Sequence, residues 1–257
     1  MSKLNDYHNK YRNARFERRD GILQMSLHTD GGPMQWGAAE GSVHEQLGHA
    51  FYDVAHDVEN RVLILTGTGE SFCVARNPKE YSSKQDGAYW YRMIKEGKDL
   101  LMQFLDIEIP VIGVLNGPAT IHPEIPVLAD VVLAAEDAVL QDSHLAQGVV
   151  PGDGGHVVWE HLLGPNRSRY FFYTEQVMTA QEAKAAGVVG EILPRNELLP
   201  RAWEIAVRLA KKPLQTLHYT RTILTQPIKQ KMLGDLGYGW AVEALSVAAM
   251  MENAPKP

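Results

Sequence analysis

Cysteine is almost absent from this 257-residue sequence. The single thiol, Cys73, cannot form a disulfide bond within the chain. The segment from Met1 to Asp6 also has no positively charged stretch followed by an apolar one, which is the pattern of a secretory signal. We therefore expect a cytoplasmic protein whose fold does not depend on disulfide bonds.

Long apolar runs and basic clusters are missing as well. The most apolar stretch, residues 111–135, is interrupted by Asn116, His122, Glu124 and Asp130, so no segment approaches the roughly 20 apolar residues of a membrane helix. The 25 Lys and Arg residues are dispersed and outnumbered by 31 Asp and Glu residues, for a net charge of −6. We expect neither a nucleic-acid partner nor a membrane partner.

The remaining pattern predicts an α/β fold. Asp20-Gly21 between two short apolar runs predicts a hairpin, and helical spacing begins at Val43 after the capping pair Ser42 and Glu45. Buried strands are predicted near residues 61–67, 110–115, 131–135 and 138–140, with a helix around Trp90 to Phe104. Strand, helix, strand indicates parallel crossovers.

Beyond Gly154 the pattern is mostly helical, with helix ends predicted at Gly164-Pro165, Gly187 and Pro194. Pro213 and Pro227 are expected to divide the last helical stretch. Since no linker separates the two parts, we expect one α/β body with a helical C-terminal extension, and a soft boundary near residue 194.

Several polar residues are candidates for chemistry, and each has a simpler structural interpretation. Asp153 could be an N-cap or turn residue, and the Trp36 ring could either pack or donate from its N–H group. A helix position such as Glu243 is ordinarily solvated, and Glu124 could simply interact with a helix dipole. The following residues could also be metal ligands, although no local zinc or nucleotide signature is present: His122, Glu124, His144 and Asp153.

Three stretches together resemble the crotonase (enoyl-CoA hydratase-like) superfamily. They are Gly67-Thr68-Gly69-Glu70-Ser71-Phe72-Cys73, Val111-Ile112-Gly113-Val114-Leu115-Asn116-Gly117-Pro118-Ala119 and Gly148-Val149-Val150-Pro151-Gly152-Asp153-Gly154-Gly155. The resemblance implies a crotonase-like ββα spiral core over residues 1–194. It also implies a helical region over residues 195–257 that takes part in trimerisation and site closure, in a homotrimer or a hexamer made of two trimers.

The sequence departs from acyl-CoA enzymes of that superfamily at the loops that bind the thioester. Val74-Ala75-Arg76-Asn77 stands where they usually have Ala-Gly-x-Asp, and Ile121-His122-Pro123 replaces a glycine-rich turn. A proline has no N–H group to donate, so a standard oxyanion hole for a CoA thioester is not expected. His144 stands where enoyl-CoA hydratases often have a catalytic glutamate.

This pattern resembles the β-diketone hydrolases of the 6-oxocamphor hydrolase type. The resemblance implies hydrolysis of a C–C bond in a 1,3-diketone to give a keto acid, with no metal ion and no cofactor. It assigns water activation and proton return to His144 with Asp153, places Glu243 near the same site, and gives the binding of carbonyl oxygens to His122 and Trp36. Glu124 is a rival for proton transfer.

Two other functions remain open at this stage. The chain could be an acyl-CoA enzyme of the hydratase/isomerase type, or a catalytically idle crotonase-like scaffold subunit, because lost glycines fit both. The gain of His144 and Asp153 favours the hydrolase, since loss of function does not tend to supply new polar groups. The sequence does not identify the physiological diketone.

Overall fold

A six-stranded sheet organises the fold, in the order β1-β2-β4-β6-β7-β10. This computed structural model describes residues 2–82 and 85–253. β1 and β2 are antiparallel and the other neighbours are parallel. The strands of the structure are β1 (Ala14–Arg19), β2 (Ile22–Leu27), β3 (Met34–Trp36), β4 (Val62–Thr66), β5 (Cys73–Arg76), β6 (Val111–Leu115), β7 (Val131–Ala135), β8 (Val139–Leu140), β9 (Met178–Thr179) and β10 (Glu191–Leu193).

Local sequence explains the predicted strands. Asp20 and Gly21 have φ angles of 52° and 77°, as the two central residues of a type I′ turn require, which confirms the hairpin. Every residue of β4 and β6 is buried, because both strands lie in the interior of the sheet. The predicted α/β fold is confirmed.

Helices cover this sheet and form the C-terminal part. They are α1 (Leu4–Tyr7), α2 (Val43–His56), α3 (Gly87–Asp106), α4 (Glu124–Val127), α5 (Gly155–Leu163), α6 (Pro165–Tyr173), α7 (Ala180–Ala185), α8 (Arg195–Ala210) and α9 (Leu214–Asn253), with short 3₁₀ turns at Pro78–Glu80 and Leu145–Gln147. α2 packs on α3, and α8 packs on the strands β2, β4, β6 and β7. None of the helices among residues 2–82 and 85–253 is long and apolar enough to cross a membrane.

Three local expectations were wrong. Pro194 ends no helix, since it follows the strand β10 and precedes the helix α8. Pro227 does not divide the last helix. Proline has no N–H group to donate to the carbonyl oxygen of Ile223, but Ile223 lies on the exposed face of α9, so water can hydrate that oxygen. Ser42 and Glu45 form no capping box: the Ser42 hydroxyl donates to Gly37 O, and Glu45 accepts from Gly41 N.

Two short strands in the helical half were missed. β9 pairs with β8, and β10 adds a parallel edge strand beside β7. Segments of two or three residues are too short to show a periodic pattern. The domain boundary at residue 194 and the association of chains into trimers stay predictions.

Glycines let α9 approach the site closely. A Cβ atom on Gly152 would overlap the carbonyl oxygen of Gly239, and one on Gly97 would overlap the ring of Trp240. The backbone of the turn that carries Asp153 can therefore lie directly against the backbone of α9, and the backbone of α3 can lie against the ring of Trp240. Trp240 and Glu243 lie on the part of α9 that makes these contacts.

We expect Gly152→Ala to destabilise the protein by about 1–3 kcal/mol, because the added methyl group meets backbone that cannot yield easily. Gly234→Ala is the matched control, since Gly234 lies in α9 and a Cβ there meets only open space. It should stabilise the helix by roughly 0.5–1 kcal/mol. Urea unfolding at one fixed protein concentration measures both changes, and equal midpoints for the two variants would contradict the close packing of α9.

Candidate active site

A cavity of about 280 Å³ lies between α9, α3 and the paired strands β3 and β5. The five residues that the sequence proposed for the site all line it: Trp36, His122, His144, Asp153 and Glu243. Glu124 lies apart, in the wall of a smaller adjoining cavity. The structure thus brings the proposed set together from four segments of the chain.

His144 lies between two carboxylates. Its Nδ1 donates to Asp142 Oδ1 at 2.9 Å, and its Nε2 is 3.3 Å from Asp153 Oδ2. Burial alone would lower the pKa of His144, but the charges of Asp153 and Asp142 outweigh burial and raise this pKa well above 6.5. The two carboxylates therefore favour the protonated form of this imidazole.

Asp142 was missed by sequence reasoning. One of its oxygens accepts from both the backbone N–H and Nδ1 of His144, so Asp142 fixes the ring orientation through a local turn. A Cβ on Gly155 would lie 2.8 Å from Asp142 Oδ2, and the glycine therefore makes room for the carboxylate. The Asp-x-His spacing was the available signal, since short loops of this kind commonly pair a carboxylate with a nearby N–H group.

Asp153 is a buried carboxylate that faces two imidazoles. Besides His144 it lies 3.5 Å from His122 Nδ1, and it accepts from the backbone N–H of Gly155. Burial alone would raise the pKa of Asp153, yet the positive charge and hydrogen bond of His144, with His122, hold it far below its usual range. α5 begins at Gly155, so Asp153 also has the turn position that the sequence suggested.

His122 and Trp36 form a tilted pair of rings in contact on the cavity wall. Their ring centroids are 3.8 Å apart with an interplanar angle of 35°. His122 Nδ1 donates to Glu124 Oε1 at 2.6 Å. The backbone of His122 has φ of 49°, which a non-glycine residue adopts only under constraint from its surroundings. The Trp36 ring therefore packs and also faces the cavity, so both interpretations of its role apply.

Glu243 is not the solvated helix residue that its local sequence suggests. Burial and the charge of Asp153 raise the pKa of Glu243 to about 9, with partial opposition from His144. Its Oε2 is buried and has no hydrogen-bond partner among the described residues. At neutral pH Glu243 is consequently a protonated carboxylic acid inside the cavity.

A second buried histidine, His44, was also missed. Its Nδ1 donates to Glu96 Oε2 at 3.1 Å, and the rings of Trp36 and Trp240 contact it edge-on. Burial lowers the pKa of His44 although Glu96 opposes this shift. Since His44 falls on the apolar face of α2, its sequence position gave no signal of a polar site.

The loop before His122 offers few free backbone donors. The N–H groups of Ala119, Thr120 and Ile121 already donate to carbonyl oxygens, and Pro123 has no N–H group. These three N–H groups are therefore not free to bind a carbonyl oxygen of a ligand.

Two groups of side chains could hold a metal ion, and they share Asp153. In each group the ligand atoms lie within 4.8 Å of one another: His122, Glu124 and Asp153 in the first, and His144, Asp153 and Glu243 in the second. Imidazole and carboxylate are ligands that zinc accepts. The pairing of each imidazole with a carboxylate gives these groups a second explanation that needs no metal.

Comparison with known proteins gives a consistent picture. The enoyl-CoA hydratase/isomerase family matches residues 17–235. A β-diketone hydrolase from the cyanobacterium Anabaena sp. PCC 7120, solved with bound (S)-3-oxocyclohexyl acetic acid, superposes with a TM-score of 0.92 at 40% identity, covering 96% of this chain and 98% of that one.

More distant relatives are named for acyl-CoA chemistry. The crotonyl-CoA hydratase of Syntrophomonas wolfei is 26% identical over 210 residues, or 79% of this chain and 77% of the relative. An enoyl-CoA hydratase of Bacillus anthracis shares the fold at 23% identity, with a TM-score of 0.73 over 94% of this chain and 92% of that one. The chain therefore belongs to the enoyl-CoA hydratase/isomerase family, the crotonase superfamily of enzymes, and it is similar to a β-diketone hydrolase over nearly its whole length.

Proposed function

We propose that this protein hydrolyses a C–C bond of a 1,3-diketone and releases a keto acid, without a metal ion or a cofactor. The observation that carries the proposal is the imidazole of His144 held between Asp142 and Asp153, in one cavity with the protonated acid Glu243. The likeness to a β-diketone hydrolase at 40% identity supports it.

Water activation falls to His144. In its neutral form the imidazole takes a proton from water while the hydroxide oxygen adds to one carbonyl carbon of the diketone. Asp142 fixes the ring through Nδ1, and Asp153 stabilises the imidazolium that forms at Nε2. The tetrahedral intermediate carries negative charge on the former carbonyl oxygen.

Cleavage then moves the electron pair of the C–C bond to the carbon between the two carbonyl groups. One fragment becomes the carboxylic acid, and the other becomes an enolate. The imidazolium of His144 returns its proton to the enolate carbon, which completes the addition of one water molecule. His122 and Trp36 bind carbonyl oxygens, and Glu243 donates a hydrogen bond or proton to the charge that develops in the cavity.

An acyl-CoA reaction is the second candidate, and the names of the more distant relatives favour it. The two functions differ in the hydrogen-bond donors that they require for a carbonyl oxygen of the substrate. A thioester reaction in this superfamily would need backbone N–H groups, whereas those of residues 119–121 already donate within the protein. Crotonyl-CoA is therefore a useful comparison substrate.

The keto acid bound by the Anabaena relative suggests the assay. Reversing the hydrolysis on paper identifies a substrate that would give this keto acid. Joining its carboxyl carbon to the ring carbon that is next to the ketone and opposite the side chain gives the bicyclic 1,3-diketone bicyclo[2.2.2]octane-2,6-dione. We expect the purified protein to hydrolyse this diketone, with or without EDTA, and not to hydrate crotonyl-CoA. Acid release at constant pH measures the first reaction, and loss of the enoyl absorbance measures the second.

Activity that EDTA removes and zinc restores would contradict the metal-free proposal and favour the two ligand groups around Asp153. Turnover of crotonyl-CoA alone would favour the acyl-CoA function. No reaction with either substrate, or with a panel of cyclic and linear 1,3-diketones, would favour the scaffold.

His144→Ala and Asp153→Asn should each reduce kcat by roughly 10²–10⁴-fold, and the double variant should lose little more, because the pair acts as one acid–base unit. His161→Ala is the matched control, since His161 is exposed on α5 outside the cavity. Single-turnover and steady-state rates on the same diketone measure the effect. Losses that multiply in the double variant would show that the two residues act separately.

The pH dependence of kcat/KM should be bell-shaped. As pH falls through the raised pKa of His144 the base becomes protonated, so activity is lost on the acid side. As pH rises through about 9, Glu243 loses its proton, so activity is lost on the alkaline side. Glu243→Gln should lower the rate and remove the alkaline limb.

Asp142→Asn should move the acid limb to lower pH, because it removes one of the charges that raise the pKa of His144. A purely structural role for Asp142 would lower the rate without moving the limb. An alkaline limb that persists in Glu243→Gln would assign that limb to another group.

A further inference from the structure

Arg76 lines the same cavity and has no role in the mechanism above. It is the last residue of β5, and in the parallel pairing of β3 with β5 its partner is Trp36. Arg76 and Trp36 therefore stand side by side on adjacent strands, and both line the cavity. The side chain of Arg76 is partly buried.

The contacts of Arg76 are to neutral groups. Its Nη1 donates to Gln147 Oε1. Burial raises the pKa of Tyr81 to about 12 even though the charge of the nearby Arg76 guanidinium lowers it. No ion pair among residues 2–82 and 85–253 includes Arg76. Among the described residues, six of the other twelve arginines pair with carboxylates: Arg12, Arg18, Arg92, Arg195, Arg201 and Arg221.

The surroundings of Asp153 have the opposite character. Asp153 is a buried carboxylate in the cavity wall, and the imidazole of His144 lies between it and the buried carboxylate of Asp142. A ligand carboxylate placed beside Asp153 would meet a like charge at close range, whereas at Arg76 it would meet a cation with no anionic partner among the described residues. Guanidinium groups bind carboxylates with paired, charge-assisted hydrogen bonds. The cavity therefore favours a ligand whose anionic end lies at Arg76.

We propose that Arg76 binds a carboxylate group of the ligand and so orients it in the cavity. This inference rests on the proposed function, which generates a carboxylate in every turnover. The carboxylate has two possible sources: the acid formed by hydrolysis, or a carboxylate that the substrate already carries as a side chain.

Binding of a keto acid and its neutral counterpart tests the proposal. The probes are (S)-3-oxocyclohexyl acetic acid and its primary amide, measured by calorimetry at pH 7.5 and low salt. Arg76→Gln should weaken binding of the acid by roughly 10–100-fold, the range for a charge-assisted hydrogen bond, and should change binding of the amide much less. Arg76→Lys should restore part of the affinity for the acid.

Lys79→Gln is the matched control, because Lys79 is an exposed cation three residues along the same segment. It should leave the affinity for the acid within about twofold, as expected for a screened surface charge. Equal weakening of acid and amide by Arg76→Gln, less than twofold weakening of the acid, or no binding of the acid to the wild type would each overturn the role of Arg76.

A kinetic comparison separates the two sources. The two substrates are a 1,3-diketone with a carboxylate side chain and its amide. If the substrate carries the anion, the kcat/KM for the carboxylate divided by the kcat/KM for the amide should fall by roughly 10–100-fold in Arg76→Gln. An unchanged ratio, together with weaker binding of the keto acid, assigns Arg76 to the product. If the protein hydrolyses diketones but Arg76→Gln binds the acid with normal affinity, only the role of Arg76 is refuted. If binding of the acid depends on Arg76 but the protein hydrolyses no diketone, only the proposed function is refuted.

Discussion

Removing the Asp153 carboxylate from water is unfavourable, and the surrounding residues compensate for it. An ionised carboxylate with no partner in a protein interior would be strongly destabilising. Here imidazole nitrogens of His144 and His122 lie within 3.5 Å of it. The charge on Asp153 then raises the pKa values of both His144 and Glu243, so the protonation states of the cavity follow from one buried anion.

The glycines near Asp153 are part of the same arrangement. Gly155 leaves space for Asp142, and Gly152 allows α9 to lie directly on the turn. Without that contact Glu243 would be a solvated helix residue with an ordinary carboxylate, and the anion of Asp153 would be partly hydrated. The pKa values of the site therefore depend on backbone packing as much as on the charged side chains themselves.

Much of the fold could be predicted from the sequence because its signals are local. The Asp20-Gly21 turn and the buried strands β4 and β6 follow from conformational preference and apolar runs. The edge strand β10 could not be found, since three residues show no period. Pro227 misled for a different reason: solvent can satisfy a carbonyl group that a helix leaves free, and a sequence pattern does not show which face of a helix is wet.

The site was predictable only in part. His144 and Asp153 follow from their place in a recognisable loop, and Glu243 follows from resemblance alone, because nothing in its local sequence indicates burial. Asp142 contacts His144 two residues away, so the Asp-x-His spacing was a local signal of its role. His44 and Arg76 become functional candidates only through contacts across the fold, such as the pairing of β3 with β5. Long-range contacts of this kind are set by tertiary packing and have no local pattern.

The position of Glu243 near one end of the chain and of Trp36 near the other has a consequence for biosynthesis. Strands β1 to β8 and the turn of Asp153 leave the ribosome before α9 does. α9 supplies Trp240, Glu243, Val247 and Met250 to the cavity wall, so the wall is incomplete until this helix packs against the rest of the chain. The cavity and the burial of Glu243 are therefore completed by the last helix that the ribosome makes, after every strand of the described residues.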